Sequence, residues 1–259
     1  MAQQKLQFVI AGAQKAGTST LDAILRHHPQ IQMASVKETH FFDNETYDWS
    51  GTDFSELHAL FSVDDDRLRG ESTPITLYWR PAIRRLHSYN PNIKLILLLR
   101  NPVSRTFAGW RKEFSAGRES LCFADAVRQG RKRMQTEPEI DNLHRYFSYV
   151  ERSLYGEQIS YLLSFFPREN LHCEISEDFF SNRIAVLDRV AAFLDIAPFP
   201  ADIPDIHLNP GRTFSYPSTL TPEDEAYLES LFRDDIALLE SILARSIQQW
   251  RRKPDKDRS

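Results

Sequence analysis

A short apolar run at residues 6–11 reaches Gly12, passes through Ala13-Gln14-Lys15-Ala16 to Gly17, and opens a helical pattern at Thr18-Ser19-Thr20. Strand, glycine-bracketed loop and helix in that order leave few folds open. The strand is buried, and the helix must cross back over a parallel sheet. The loop between them is an anion cradle: its backbone N–H groups converge, and the helix start adds partial positive charge. Its frame, G-x-x-x-x-G-x-S, departs from the nucleotide-triphosphate loop at one place. That motif needs Lys directly after the second glycine; here Thr18 stands there and the lysine, Lys15, lies inside the loop. Such a loop suits a 5′-phosphate while bringing its charge from another direction.

The remaining pattern extends this start into an α/β chain. Residues 18–28 put Leu21, Ile24 and Leu25 on one helical face and stop at Pro29; 31–33 and 68–71 are short strand candidates. Residues 81–88 read as a helix with Pro81 in its first turn, and 93–99 (IKLILLL) as a central parallel strand, apolar on both faces. Asn101-Pro102 opens a helix to about residue 116, and 121–166 is mostly helical. A strand is expected at 171–175, then a helix over 181–194 with Ile184, Leu187, Val190 and Leu194 on one face. Residues 197–216, rich in Pro and Gly, read as a long loop. Thr221-Pro222-Glu223-Asp224 starts a last amphipathic helix with an N-cap threonine, Pro at the first position and acids in the first turn. The fold expected is a P-loop-like central parallel β-sheet flanked by helices, in a single domain over 1–259 with a frayed tail at 251–259.

A chain of 259 residues, 41% of them hydrophobic, can bury a sizeable core. Its net charge of −4 gives no case for nucleic-acid binding, so an anionic ligand must be held by a local basic cluster. Cys122 and Cys173 lie in apolar stretches and read as buried free thiols; two cysteines form no metal-binding pattern. The apolar run at the N-terminus is too short for a signal peptide or a membrane span, so a soluble, cytoplasmic protein is expected.

The best strand ends in Arg100, where a nucleotide-hydrolysing P-loop protein would need an acid for Mg²⁺. A cation there repels metal and attracts phosphate. Asn101-Pro102-Val103-Ser104-Arg105 then adds a second helix start with hydroxyl and guanidinium donors. Two anion sites at strand ends imply a nucleotide phosphorylated at two separate positions.

The blocks GAQKAGTST, HHPQI, KETHFFD, GESTP and LILLLRNPVSRTFAGW follow in that order. Together they resemble the sulfotransferases that use 3′-phosphoadenosine 5′-phosphosulfate (PAPS), in style closest to the heparan sulfate, bacterial Nod-factor and natural-product branch. The likeness is weaker beyond about residue 115. It implies that Lys15, Ala16, Gly17, Thr18, Ser19 and Thr20 grip the 5′-phosphosulfate, that Arg100 holds the 3′-phosphate, and that Gly211 and Arg212 are a late cofactor contact. The family's serine eight residues after the arginine is Ala108 here, leaving Ser104 or Arg212 for that contact. The lysine of the family's E-K-[ST]-P block is replaced by Ser72. No metal is expected to be required, and the product would be 3′,5′-ADP.

Sulfuryl transfer is loose and in-line, so positioning and charge stabilisation dominate it. Lys15 is the candidate to neutralise the departing phosphate oxygen and, with Ser19 and the loop amides, to support the moving SO₃ group. Glu38 and His40 are two residues apart and would share a face if extended. The resemblance gives the base role to Glu38, while histidine-using relatives keep His40 as second candidate. Phe41, Phe42, Trp49, Tyr78, Trp79 and Trp110 suit a core or an acceptor cleft. A small molecule, lipid or glycan would serve as acceptor, and the lack of a membrane span favours a bacterial cytosolic enzyme. A P-loop kinase or NTPase with a deviant loop, or a nucleotide-binding protein without catalysis, are the alternatives.

Overall fold

The computed structural model describes residues 4–62, 66–135, 143–200, 204, 206, 208 and 214–251. Five strands, β1 (Phe8–Gly12), β2 (Ile31–Met33), β3 (Leu68–Ser72), β4 (Lys94–Leu99) and β5 (Leu171–Ile175), form one sheet in the order β2-β3-β1-β4-β5. Every pairing is parallel. The apolar runs explain why β1 and β4 are central: β1 is buried throughout, and in β4 every residue after Lys94 is buried.

Helices α1 (Thr18–Leu25), α2 (Ser55–His58), α3 (Arg80–Tyr89) and α4 (Pro102–Ser115) follow the first four strands. Next come α5 (Phe123–Val127), α6 (Leu143–Phe147) and α7 (Tyr155–Leu163), with 3₁₀ turns at Gln129–Gln135 and Glu151–Ser153. The 121–166 stretch is therefore a series of short helical pieces. After β5 the helix expected over 181–194 is present as α9 (Arg183–Leu194), and a short helix that the sequence reading did not anticipate, α8 (Ser176–Ser181), precedes it. Leu187, Val190 and Leu194 face the core with Val186 and Ala191, but Ile184, next to the break at Asn182, is 76% exposed. The final helix, α10 (Pro222–Leu243), starts as the sequence indicates, with a Thr221–Asp224 capping box and Pro at the first position.

The main core sandwiches the sheet between its helices; a second apolar cluster around Trp110, Phe123, Leu228 and Phe232 fixes α4 against α5 and α10. Phe41, Phe42, Trp79 and Trp110 are all buried, so these four are core side chains. Trp49 and Tyr78 are half-buried and pack against the main core. Both cysteines are free, Cys173 buried as expected and Cys122 only partly so. At the C-terminus Arg251 donates to Ser246 Oγ (2.8 Å), while 252–259, the rest of the expected tail, lie outside the described residues. No described helix is long and apolar enough to cross a membrane.

Candidate active site

The strand order changes direction at β1, so the carboxyl ends of β1, β3 and β4 open on one edge of the sheet, where ligands of open α/β folds bind. A register shift between Ile10 and Gly12 against β4 breaks the ladder and turns the chain into the loop. Lys15 (φ 72°) and Gly17 (φ 100°) are left-handed, which coils the loop onto the start of α1. The first helical N–H bond there is Thr20 to Gly17 O (3.0 Å), so the Thr18 and Ser19 amides are among the orphan donors of the helix start. Thr18, Thr20 and Ala16 are buried; Lys15, Gly17 and Ser19 are half-buried.

The loop is clamped from several sides. Arg100 Nη1 donates to Lys15 O (3.1 Å), Ser176 Oγ to Ala16 O (2.8 Å) and Arg152 Nη1 to Gln14 Oε1 (2.7 Å). The Leu208 amide donates to Thr20 Oγ1 (3.2 Å). Burial, and after it the charges of Lys112, Arg100 and Arg105, push the Lys15 ammonium below its ordinary value, with Glu113 alone opposing them. Lys15 and the Arg100 guanidinium thus bring two cations to the loop, while Lys112 nearby is paired with Glu113 (3.2 Å).

Asn101 caps α4 by accepting the Ser104 amide (3.0 Å), which places Ser104, Ala108 and Lys112 four residues apart on one helical face. Arg105 differs from expectation. It is buried, donating to Ser153 Oγ (2.6 Å) and to the Tyr149 carbonyl, and so braces the fold instead of facing a phosphate. Gly211 and Arg212 lie outside the described residues.

The strand ends beside β1 also differ from expectation. β1 has two neighbours, and while β4 leads to Arg100, β3 ends in Glu71-Ser72 beside Val9 and Ile10. An acid therefore does end a neighbouring strand. It is fully enclosed, and both Thr73 Oγ1 (2.6 Å) and Thr39 Oγ1 (3.2 Å) donate to its Oε2. Among the described residues no group of three or more His, Cys, Asp or Glu side chains is placed to hold a metal.

The segment after β2, expected to be extended, is not. Glu38 (φ 58°) and His40 (φ 51°) are both left-handed, each at a cost of about 1–2 kcal/mol. The turn still brings the two together, with His40 Nε2 3.6 Å from Glu38 Oε2. Lys37 Nζ donates to Glu38 Oε1 (2.6 Å); His40 Nδ1 meets Asp43 Oδ2 (2.9 Å); Arg145 Nη1 reaches the same Asp43 oxygen (2.6 Å) and its second nitrogen reaches the Asp43 carbonyl. Lys37, Glu38, His40, Asp43 and Arg145 form a chain of alternating charge.

That chain fixes protonation. The His40 contact, helped by Lys37 and opposed by burial, holds the Glu38 carboxyl at about 2. Asp43 and then Glu38, against burial, raise His40 to about 9. Burial pushes Asp43 up, but His40 and Arg145 outweigh it and keep it below the carboxylate norm. At neutral pH Glu38 is an anion and His40 a cation.

A protein-family model described as a sulfotransferase domain matches residues 5–209. The chain belongs to this family. A solved sulfotransferase from Alicyclobacillus acidocaldarius superposes with a TM-score of 0.78 at 28% identity, covering 96% of this chain and 100% of that one. A mouse sulfotransferase complexed with PAP shares the fold alone, with a TM-score of 0.53 at 14% identity, covering 93% of this chain and 90% of that one. Among curated relatives, the membrane-associated sulfotransferase kil1 of Dictyostelium discoideum is 26% identical over 93% of this chain and 66% of its own length. Human heparan sulfate glucosamine 3-O-sulfotransferase 6 is 30% identical over 73% of this chain and 52% of its own length. The chain spans little more than half to two thirds of these curated relatives.

In this member of the family the structure brings Lys15 and its loop together with Arg100, and joins Glu38 to His40. Sequence reasoning passed over Asp43, Arg145, Arg152 and Glu71. Asp43 had a signal, since a carboxylate three residues after His40 reaches it across one turn. Arg145 had none, being 102 residues from the aspartate it grips.

Proposed function

We propose that this sulfotransferase moves a sulfuryl group from PAPS to a hydroxyl, or an amine, of an acceptor and releases 3′,5′-ADP. The observation that carries the reading is the meeting of the glycine-bracketed loop with the end of β4, where Arg100 Nη1 donates to Lys15 O at 3.1 Å beside the half-buried Lys15. A donor phosphorylated at two positions supplies the missing negative charge, and the mouse relative of the same fold is a complex with PAP. PAPS contributes an activated sulfur–oxygen bond. Lys15, with the Thr18 and Ser19 amides and the Ser19 hydroxyl, stabilises charge on the departing phosphate oxygen. Ala16, Gly17 and Thr20 shape that cradle, and Arg100, with Ser104 replacing the serine lost at Ala108, takes the 3′-phosphate.

Glu38 is the base in this reading. As an anion between two cations it accepts the acceptor's proton while the new sulfur–oxygen bond forms and the bond to phosphate breaks; the cationic His40 has no free lone pair to offer. In a loose transition state the acceptor's acidity rises late, so a weak base is enough. His40 orients Glu38. The human relative's name specifies a hydroxyl on a glucosamine of heparan sulfate, which makes a glycan hydroxyl the first acceptor to try before small molecules and lipids.

Calorimetric titration with 3′,5′-ADP and, separately, with ATP plus Mg²⁺ tests the donor. Binding of 3′,5′-ADP without metal at least tenfold tighter than ATP is expected; the reverse order would move the chain to the kinase or NTPase class.

A further inference from the structure

Glu71 takes no part in the chemistry above, yet it is a fully enclosed carboxylate one strand away from the donor loop. Burial, with Asp43 adding to it, raises its carboxyl to about 7, against the Thr73 and Thr39 hydroxyls and the His40 charge. Such a group is expensive to keep in a core unless its contacts matter. Its contacts are specific. Oε2 accepts from Thr73 Oγ1 at 2.6 Å and from Thr39 Oγ1 at 3.2 Å. Thr39 is the residue between the two left-handed positions, Glu38 and His40. Its hydroxyl also accepts the Phe41 amide (3.4 Å), and the Glu38 amide donates to Ser72 O (2.8 Å), next to Glu71 on the same strand. The turn carrying Glu38 and His40 is thus tied to the end of β3 by one backbone bond and by the partly buried Thr39–Glu71 bond, with the Thr73 hydroxyl 3.5 Å from that of Thr39.

We propose that Glu71 is a positioning residue: through the Thr39 hydroxyl it locks the left-handed turn that holds Glu38 against His40. Two unfavourable backbone conformations on either side of one residue persist only where surrounding contacts impose them. The Ser72 carbonyl fixes where the turn begins, and the Glu71–Thr39 bond fixes its middle. Without that bond the turn relaxes toward extended backbone, and the 3.6 Å approach of His40 to Glu38 opens.

The test uses the full chain with Thr39→Val, Thr39→Ser and Glu71→Met, read first by NMR titration of His40, identified by the signal missing in His40→Asn. This arm is independent of the proposed reaction. Thr39→Val should move the His40 midpoint down from about 9, as far as Glu38→Gln does. Thr39→Ser, which keeps the hydroxyl, should restore it, and Thr39→Val combined with Glu71→Met should go no further than either alone. If Glu71→Met does not fold, the two Thr39 variants decide the question. An unmoved His40 midpoint in Thr39→Val would overturn the proposal. The kinetic arm rests on Glu38 being the base: Thr39→Val should lower kcat about 10- to 100-fold, with 3′,5′-ADP affinity within about twofold of the parent, as expected for an effect confined to the acceptor side. A shifted His40 midpoint with unchanged kcat would leave the positioning role standing and remove Glu38 from the chemistry.

Discussion

Between Lys37 and Arg145 the charges alternate in sign, and this sets what each group does with a proton. His40 is raised, so its ion pair with Glu38 contributes fully below the ordinary imidazole value and is lost as pH rises through about 9. Glu38 is depressed, so its share is full above the ordinary carboxylate value and is lost as pH falls through about 2. The turnover profile should therefore show no acid limb from Glu38 near neutrality and an alkaline break near pH 9. In His40→Asn that break should vanish; an unchanged break would assign it to another group. The sequence made Glu38 and His40 visible because they are neighbours. It could not show their left-handed backbone, which contacts to β3 impose, nor Arg145, brought in by tertiary folding alone. Arg105 shows the opposite error: a basic residue at a helix start looks like a phosphate donor until Ser153 and the Tyr149 carbonyl are seen to take it.

Strands were the most legible elements, because burial on both faces leaves only apolar residues in β1 and β4, and the caps of α4 and α10 were written as Asn101-Pro102 and Thr221-Pro222. The broken region around α5 and α6 was not, since its short helices draw stability from packing and leave no long period to read. The β1–α1 junction is where element geometry and ligand meet. A Cβ on Gly17 would sit 2.9 Å from Phe180 Cζ, at a backbone angle of φ +100°. Gly17→Ala should cost about 1–2 kcal/mol of stability and weaken 3′,5′-ADP binding, measured by thermal melts and calorimetry. Adding Phe180→Ala should recover part of the loss by relieving the clash and leave the backbone strain. Full recovery would mean that the left-handed angle is unimportant.

Across the whole molecule, Arg152 is the bridge. From the 3₁₀ turn at Glu151–Ser153 it holds Gln14 in the donor loop and the His144 and Arg145 carbonyls of α6, whose Arg145 grips Asp43. Donor loop and acceptor turn are thereby joined through a helix far from both in sequence, a connection that no local pattern could disclose. The two proposed anion sites, by contrast, rest on strand ends, those of β1 and β4. They predict that Arg100→Ala weakens 3′,5′-ADP about tenfold or more, the scale of a charge-assisted bond, while AMP binding changes little; calorimetry with both nucleotides checks this, and equal losses would remove Arg100 from the 3′-phosphate. β1 itself is a watershed. On its β4 flank lies Arg100, clamping the loop at Lys15, and on its β3 flank lie Glu71 and the turn bearing Glu38. If the proposed donor and acceptor sites hold, the boundary between them falls between neighbouring strands, so substitutions on the β3 side should alter acceptor choice while leaving 3′,5′-ADP binding by the β4 side unchanged, an arrangement suited to diversification by graft.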